Sequence, residues 1–401
     1  MPDGKEAVNG NVASMPDGKN DEDDYDMFKS ALGKRKDLED FVVEQTKKKI
    51  ASGQLMPFLN VENGTENAVP TEGILPLLDI LELPRTRTCC RYREAASMLT
   101  MPLLHIQQKD KWSCGYRNLQ MLLSAFIPLL PSDHPYHQCV PASLKRSDLG
   151  VAVPIPSLKD LQEFLERGWQ MGLDPRGAEH YGGNIVGKTD EVGAVEVCSM
   201  LASVRLDSVV VQFIKTDESR RLLGPFVWSY FGKRAGCDCL EPRMSASTAE
   251  DLLEYANTLP KDEVENLNCT CPSVPLYLQW EGHSVSVIGI RKVEGDTDYQ
   301  LLVLDPAKDG NAIHERLSRA FELPTTQDAI DPLILETREV ADKDCQLVMV
   351  TTRSLEDLDI DEMKERVNAV TAARESVVKQ MGFAGARAKP GDGTEKADSA
   401  G

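Results

Sequence analysis

The segment QQKDKWSCGYRNLQMLLSAFIP, residues 107–128, decides how the chain is read. Leu119, Leu122, Leu123, Phe126 and Ile127 recur at i, i+3, i+4, i+7 and i+8, the spacing of one buried helical face, and Pro128 closes the run. A helix is therefore expected over 115–127, with Cys114 and Gly115 where it begins. A thiol reacts as its thiolate, and the positive end of a helix dipole favours that form. Gly115 lets a substrate backbone come close, and small Ser113 leaves room on the other side. Gln108 lies upstream, at a suitable place for a side chain that holds an oxyanion; Asp110 is placed instead to fix the loop. The same residues also suit a buried structural cysteine, and the segment alone does not choose between the two.

A nucleophilic cysteine needs an imidazole to take its proton and a third group to hold the ring. The chain has six histidines. His134 and His137 lie in the Pro-containing loop SDHPYHQC and His180 in a Gly-rich loop, while His105 and His314 flank other elements with no paired carboxylate. His283 opens an apolar strand in EGHSVSVIGIRK, and the next strand, DYQLLVLDP, ends at Asp305. The connection VEGDT is short and turn-like. If the strands pair antiparallel, His283 and Asp305 fall within a residue or two of facing each other. Counting does not fix their faces, because one bulge exchanges them. Taken singly, His283 suits a satisfied core histidine and Asp305 a turn-capping Asp-Pro. With Cys114 they read as the base and orienter of a thiol nucleophile.

Around this nucleus the pattern predicts helices at 115–127, 157–171, 190–203 and 247–258, and strands at 207–215, 275–280, 284–291, 299–304 and 346–352. Helices mixed with non-alternating strands indicate an α+β fold. The expected organisation is a disordered acidic N-terminus over 1–24, a helical arm over 25–50, a linker over 51–72, one enzyme domain over 73–354, a helix over 355–380 and a disordered tail over 381–401. The arm at 25–50 reads first as a solvated helix against the domain and second as a partner-binding element.

Composition narrows the function classes. The chain carries 64 acidic and 45 basic side chains, a net charge of −19, which argues against a nucleic-acid backbone as partner and suits a basic protein surface. No apolar run approaches the ~20 residues of a membrane span, and the N-terminal residues lack a secretory core. A cytoplasmic or nuclear protein with no membrane partner is expected. Its ten cysteines are then read as reduced thiols rather than disulfides. Cys237, Cys239, Cys269 and Cys271 form two C-x-C pairs that are candidate zinc ligands, although that spacing is unusual for zinc and reduced thiols are the favoured reading.

The strings DKWSCGYRNLQMLLS, LYLQWEGHSVSVIGI and LLVLDPA resemble the nucleophile, histidine and aspartate segments of the ubiquitin-fold-modifier-specific peptidase family, closest to its zinc-finger-containing deubiquitinase branch. ERGWQMGLDPRGAEHYGG, VGKTDEVGAVEVCSMLASVRLDSVVVQF and GPFVWSYF also resemble that branch, so the likeness runs over roughly 100–310 in consistent order. It implies a papain-like fold, isopeptidase activity through Cys114, His283 and Asp305, and no cofactor. The implied partners are ubiquitin or a ubiquitin-like protein, and polyubiquitin chains. Ser113 replaces the family's usual Gly. Ala307 follows Asp305-Pro306 where peptidases of the ubiquitin-fold modifier carry Asp-Pro-His. His283 must therefore serve as base, which tilts the expected substrate toward ubiquitin. The first 88 residues contain neither Cys nor His, so the branch's fingers have no counterpart there. The alternatives are a protease for the ubiquitin-fold modifier or another ubiquitin-like protein, and a non-catalytic ubiquitin-binding scaffold.

Overall fold

The computed structural model describes residues 56–59, 68–81, 83–89, 91–94, 97–100, 102–144, 152–213, 217–232, 274–293 and 298–354, with 361, 364, 365, 367 and 368. In chain order its strands are β1 (Met56–Leu59), β2 (Ala68–Thr71), β3 (Thr86–Thr88), β4 (Arg91–Glu94), β5 (Ser97–Thr100), β6 (His105–Gln108) and β7 (Ala152–Ile155). There follow β8 (Leu206–Phe213), β9 (Leu276–Trp280), β10 (His283–Lys292), β11 (Tyr299–Leu304), β12 (Ile334–Glu336) and β13 (Cys345–Ser354). The main sheet runs β12-β11-β10-β9-β13-β8, and β3 continues the edge of β10 beyond β9. All its pairings are antiparallel. The expected strands at 207–215, 275–280, 284–291, 299–304 and 346–352 correspond to β8, β9, β10, β11 and β13 of this one sheet, with 214 and 215 outside the described residues. The α+β class expected from the sequence is the class found, with Cys114 at the start of a helix and with His283 on, and Asp305 directly after, adjacent antiparallel strands.

The Cys114–Phe126 helix is the centre of the molecule. The sequence shows one apolar face, but every residue from Gly115 to Phe126 is buried. β9 and β10 cover one side; β6 and the Leu158–Gln170 and Ala194–Ser203 helices cover others. A helix enclosed this way can carry polar residues only if they are partnered. Arg117 Nη1 donates to Gln120 Oε1 at 2.9 Å, and Gln120 Nε2 donates to the Pro156 carbonyl at 2.8 Å. Ser124 Oγ donates to the Met121 carbonyl and accepts the Leu104 N–H. Pro128 falls inside the short 3-10 turn Ile127–Leu129 that ends the helix.

Local chemistry sets several boundaries. The Leu158–Gln170 helix starts where Ser157 and Asp160 cap each other, with Ser157 N–H donating to Asp160 Oδ2 at 2.8 Å. The helix expected from residue 190 starts at Ala194, because Gly193 is extended and its N–H donates to Glu196 Oε2 at 2.8 Å. A further helix, Asp217–Gly232, carries Pro225 in its interior; Gly224 before it lies so close to Tyr299 that a Cβ would sit 2.5 Å from that ring.

Parts of the expected 51–72 linker are sheet. β1 runs parallel to β7 and β2 antiparallel to β6. Partners far along the chain, not local composition, make strands of these short segments. The expected N-terminal segments 1–24 and 25–50, the 247–258 helix, the tail over 381–401 and most of the 355–380 helix lie outside the described residues; 361, 364, 365, 367 and 368 are helical.

β9 and β10 are joined by a two-residue turn, Glu281-Gly282, that brings Trp280 opposite His283. Gly282 has φ +81°, and a Cβ there would meet nothing within 4 Å. Only backbone conformation demands the glycine. Gly282→Ala is therefore expected to cost about 1–2 kcal/mol without any clash; urea denaturation measures it, and wild-type stability would show that the turn tolerates an L side chain.

Candidate active site

Asp110 shapes the approach to Cys114. Its Oδ1 accepts the N–H groups of Trp112 at 3.1 Å and Ser113 at 2.8 Å, and its Oδ2 accepts the Ser113 hydroxyl at 2.8 Å. That turn delivers Cys114 as the first helical residue, at the positive end of the dipole. The sequence reading of Gly115 as room for substrate is corrected: Gly115 is buried, and a Cβ there would lie 2.6 Å from the Val192 carbonyl oxygen. Glycine is required at this position by the packing of the Val192 backbone. Ser113, similarly, is fully buried and tied to Asp110 rather than leaving open space.

His283 and Asp305 meet at the sheet edge: His283 Nε2 lies 2.9 Å from Asp305 Oδ1. Their common face depends on a bulge. From Lys292↔Tyr299 to Gly289↔Leu302 the pairing of β10 and β11 is regular; it then shifts, so that Val287 faces Val303 and Ser286 faces Leu304. Ile288 is the extra residue. Carried one step on, this register sets Asp305 beside Val285, which shares its face with His283. Without the bulge Asp305 would oppose Ser286, on the other face.

Backbone contacts hold Asp305 in turn. Its Oδ1 accepts the Ala307 N–H at 2.9 Å, and its carbonyl accepts the Lys308 N–H at 3.0 Å. His105 Nε2 donates to the same carbonyl at 3.0 Å, and the Gln108 N–H donates to the Pro306 carbonyl at 2.8 Å. β6 thus clamps the segment that carries Asp305. His105 is fully buried in that clamp. His134 is buried in a local turn, where its Nδ1 accepts the Tyr136 N–H. His180 stands exposed beside Tyr181.

With Nε2 engaged by Asp305, Nδ1 is the nitrogen left for the Cys114 thiol, which hydrogen-bonds the ring. Burial pushes the Cys114 thiol up, but hydrogen bonds from His283 and Ser284 and the charge of His283 outweigh it and hold the thiol below its ordinary value. The hydrogen bonds to Asp305 and Cys114 raise His283 to about 9 against the opposing effect of burial. Burial acts upward on Asp305 too, and the His283 and Ala307 contacts overcome it and keep the carboxylate low. Elsewhere burial prevails: it pushes the Cys198 thiol, despite its hydrogen bond with Ser208, and the Cys345 thiol up to about 12. The site therefore favours a thiolate–imidazolium pair, partly open to solvent: 26% of the His283 side chain and 18% of Asp305 are exposed.

Of the expected site residues, Cys114, His283 and Asp305 come together, and Gln108 is linked through its backbone to the Asp305 segment. Gln108 Oε1 is buried without a partner. Cys237, Cys239, Cys269 and Cys271 lie outside the described residues. Asn118 and Ser284 also belong to the site, and apolar periodicity does not single them out. The available signals were a polar residue four positions after Cys114 and serines at 284 and 286 in an otherwise apolar strand.

The sequence model of Peptidase family C78 matches residues 97–326, more than half of the chain. The zinc finger-containing ubiquitin peptidase 1 of Homo sapiens is 31% identical over 219 residues, covering 54% of this chain and 31% of that protein. The ubiquitin carboxyl-terminal hydrolase mug105 of Schizosaccharomyces pombe is 29% identical over 196 residues, covering 49% of this chain and 59% of that protein. Among solved structures, UfSP from C. elegans superposes with a TM-score of 0.37 at 13% identity, over 74% of this chain and 40% of that one. The chain thus spans about a third of the human relative's length and well over half of the fission yeast one's.

The electrostatics lead to a direct expectation. Alkylation of Cys114, followed by mass spectrometry of its peptide, should rise with pH through a midpoint below the ordinary thiol range and then level off. In His283→Ala the hydrogen bond and charge of the ring are lost and Ser284 alone is left to oppose burial, so that midpoint should move up by about one unit or more. An unchanged midpoint would disconnect the thiol from this imidazole.

Proposed function

The chain belongs to peptidase family C78, and from that premise we propose that it is a cysteine isopeptidase that cleaves after the C-terminal glycine of ubiquitin, with Cys114 as nucleophile, His283 as general base and acid, and Asp305 as orienter. The observation that carries this reading is the 2.9 Å His283–Asp305 contact beside a thiol at a helix start. Ubiquitin is favoured because two relatives of this chain are ubiquitin peptidases by name. The residue after Asp305-Pro306 is also Ala307, whose backbone N–H supports the Asp305 carboxylate, so the imidazole comes from β10.

In the proposed mechanism the Cys114 proton resides on His283, and the thiolate attacks the glycine carbonyl carbon. The resulting oxyanion is held by the Cys114 backbone N–H and the Gln108 side-chain amide. As the tetrahedral species collapses, the C–N bond breaks and the His283 imidazolium gives its proton to the departing lysine amine. A thioester remains on Cys114. Neutral His283 then takes a proton from water as hydroxide adds to the thioester carbonyl; collapse breaks the C–S bond and expels the Cys114 thiolate, which restores the pair with the His283 imidazolium, and the released glycine carboxyl group gives its proton to solvent. Asp305 keeps Nε2 occupied through both steps, so the nitrogen facing sulfur is the one that moves protons.

Steady-state cleavage of a fluorogenic ubiquitin substrate tests these roles, with circular dichroism as a check on folding. Cys114→Ala should abolish turnover, and His283→Ala should lose about ten-thousand-fold, since it performs both proton transfers. Asp305→Asn should lose only about a hundred-fold, because the amide oxygen still accepts the ring N–H. Normal turnover by a folded Cys114→Ala protein would end the proposal.

Turnover should also fall as pH rises through about 9, where His283 loses the proton needed by the leaving amine, although alkylation of Cys114 stays level there. Electrophilic probes built on ubiquitin and on each ubiquitin-like modifier decide the substrate. Labelling of Cys114 by the ubiquitin-fold-modifier probe alone would move the specificity to that protein, and binding of ubiquitin without labelling would indicate a scaffold.

A further inference from the structure

Cys114 and His283 sit on elements joined by no backbone ladder: one opens a helix, the other a strand. Apolar packing between helix and sheet resists separation but constrains sliding poorly, because it is non-directional. Asn118 supplies a directional link, one helical turn below Cys114 and fully buried. Its Nδ2 donates to the Cys114 carbonyl at 2.9 Å and to the Ser284 carbonyl at 2.8 Å, with Ser284 Oγ at 3.0 Å. Its Oδ1 accepts the Ser286 hydroxyl at 2.8 Å.

We infer that Asn118 is a positioning residue that fixes the separation of the Cys114 thiol and the His283 ring by fastening the nucleophile's own carbonyl to the residue next to the base. Only asparagine fits this task among the common side chains. The site needs donors for two carbonyls and an acceptor for one hydroxyl, all within reach of a short stem. Aspartate lacks the donors, alanine lacks everything, and glutamine is a methylene too long for a closed interior. Asn118 is buried beneath the nucleophile and touches no reacting atom, so its influence passes through Cys114 and Ser284. Ser284, held by Asn118, is itself among the groups that hydrogen-bond the Cys114 sulfur.

The inference rests on the proposed roles of Cys114 and His283, so its test includes a readout that needs no ubiquitin. Asn118→Ala should lower kcat by about a hundred-fold with KM within about twofold, the signature of a misplaced catalytic pair. It should also raise the pH midpoint of Cys114 alkylation by about one unit. Ser286→Ala removes the hydroxyl that meets Oδ1 and, at 3.4 Å, the Asn118 carbonyl, while leaving both Nδ2 contacts, and should shift kcat and midpoint in the same directions by a smaller amount. A folded Asn118→Ala protein with wild-type kcat overturns the inference. So does a kcat loss that tracks a fall in melting temperature while the alkylation midpoint stays put. If Asn118→Ala does not fold, Ser286→Ala decides: a raised midpoint supports the clamp and a wild-type midpoint overturns it. If the wild-type protein is inert toward ubiquitin substrates, the substrate proposal fails, and the alkylation midpoints of both variants still decide the clamp.

Discussion

The seating of the Cys114–Phe126 helix on β10 is the contact on which the remainder of the site depends. The helix brings a thiol at its positive end, and β10 brings an imidazole at its start. Neither element reaches the other through the chain except by way of more than 150 intervening residues. The fold encloses the helix completely and then uses polar side chains inside that enclosure to define where it stops along the sheet. Gly115 serves the same end, since the Val192 carbonyl occupies the space a side chain would need. Close packing on one side and hydrogen bonds on the other leave the helix start little freedom.

Burial and ionisation work against each other at this site. Removing Cys114 from water disfavours the thiolate, as the high positions of Cys198 and Cys345 show. The His283 ring and Ser284 reverse that tendency for Cys114, and its place at a helix start acts in the same direction. The histidine in turn needs Asp305, and Asp305 needs the backbone N–H of Ala307 to remain ionised in a largely buried place. Each charge is stabilised by the next. Trp280, packed edge-on against the His283 ring with centroids 5.5 Å apart, limits the ring's freedom to turn away.

Much of this was legible in the sequence because it followed from periodicity. The apolar spacing after Cys114 fixed the helix and placed the thiol at its start, and the apolar runs before Asp305 and after His283 fixed the strands. Counting from the hairpin connection brought His283 and Asp305 to one edge. Their common face was not legible, since the alternation in SVSVIGI does not reveal which residue is extra; the adjacent Gly289 is the only local hint. β1 and β2 were hidden because strands of four residues depend on partners distant in sequence. The Asp217–Gly232 helix was obscured by its Gly-Pro pair. Asn118 reads as an ordinary polar residue until the serines of β10 are seen opposite it.

The bulge at Ile288 gives the hairpin something like a reading frame. Residues between His283 and Ile288 are counted against Asp305 in steps of two, and adding or removing one of them would turn the imidazole to the wrong side of the sheet while leaving composition almost unchanged. Length changes in the 294–297 connection lie beyond the point where the frame is set and leave the parity of His283 and Asp305 untouched. Within one hairpin, then, the strand that looks most uniform is the one whose residue count is fixed.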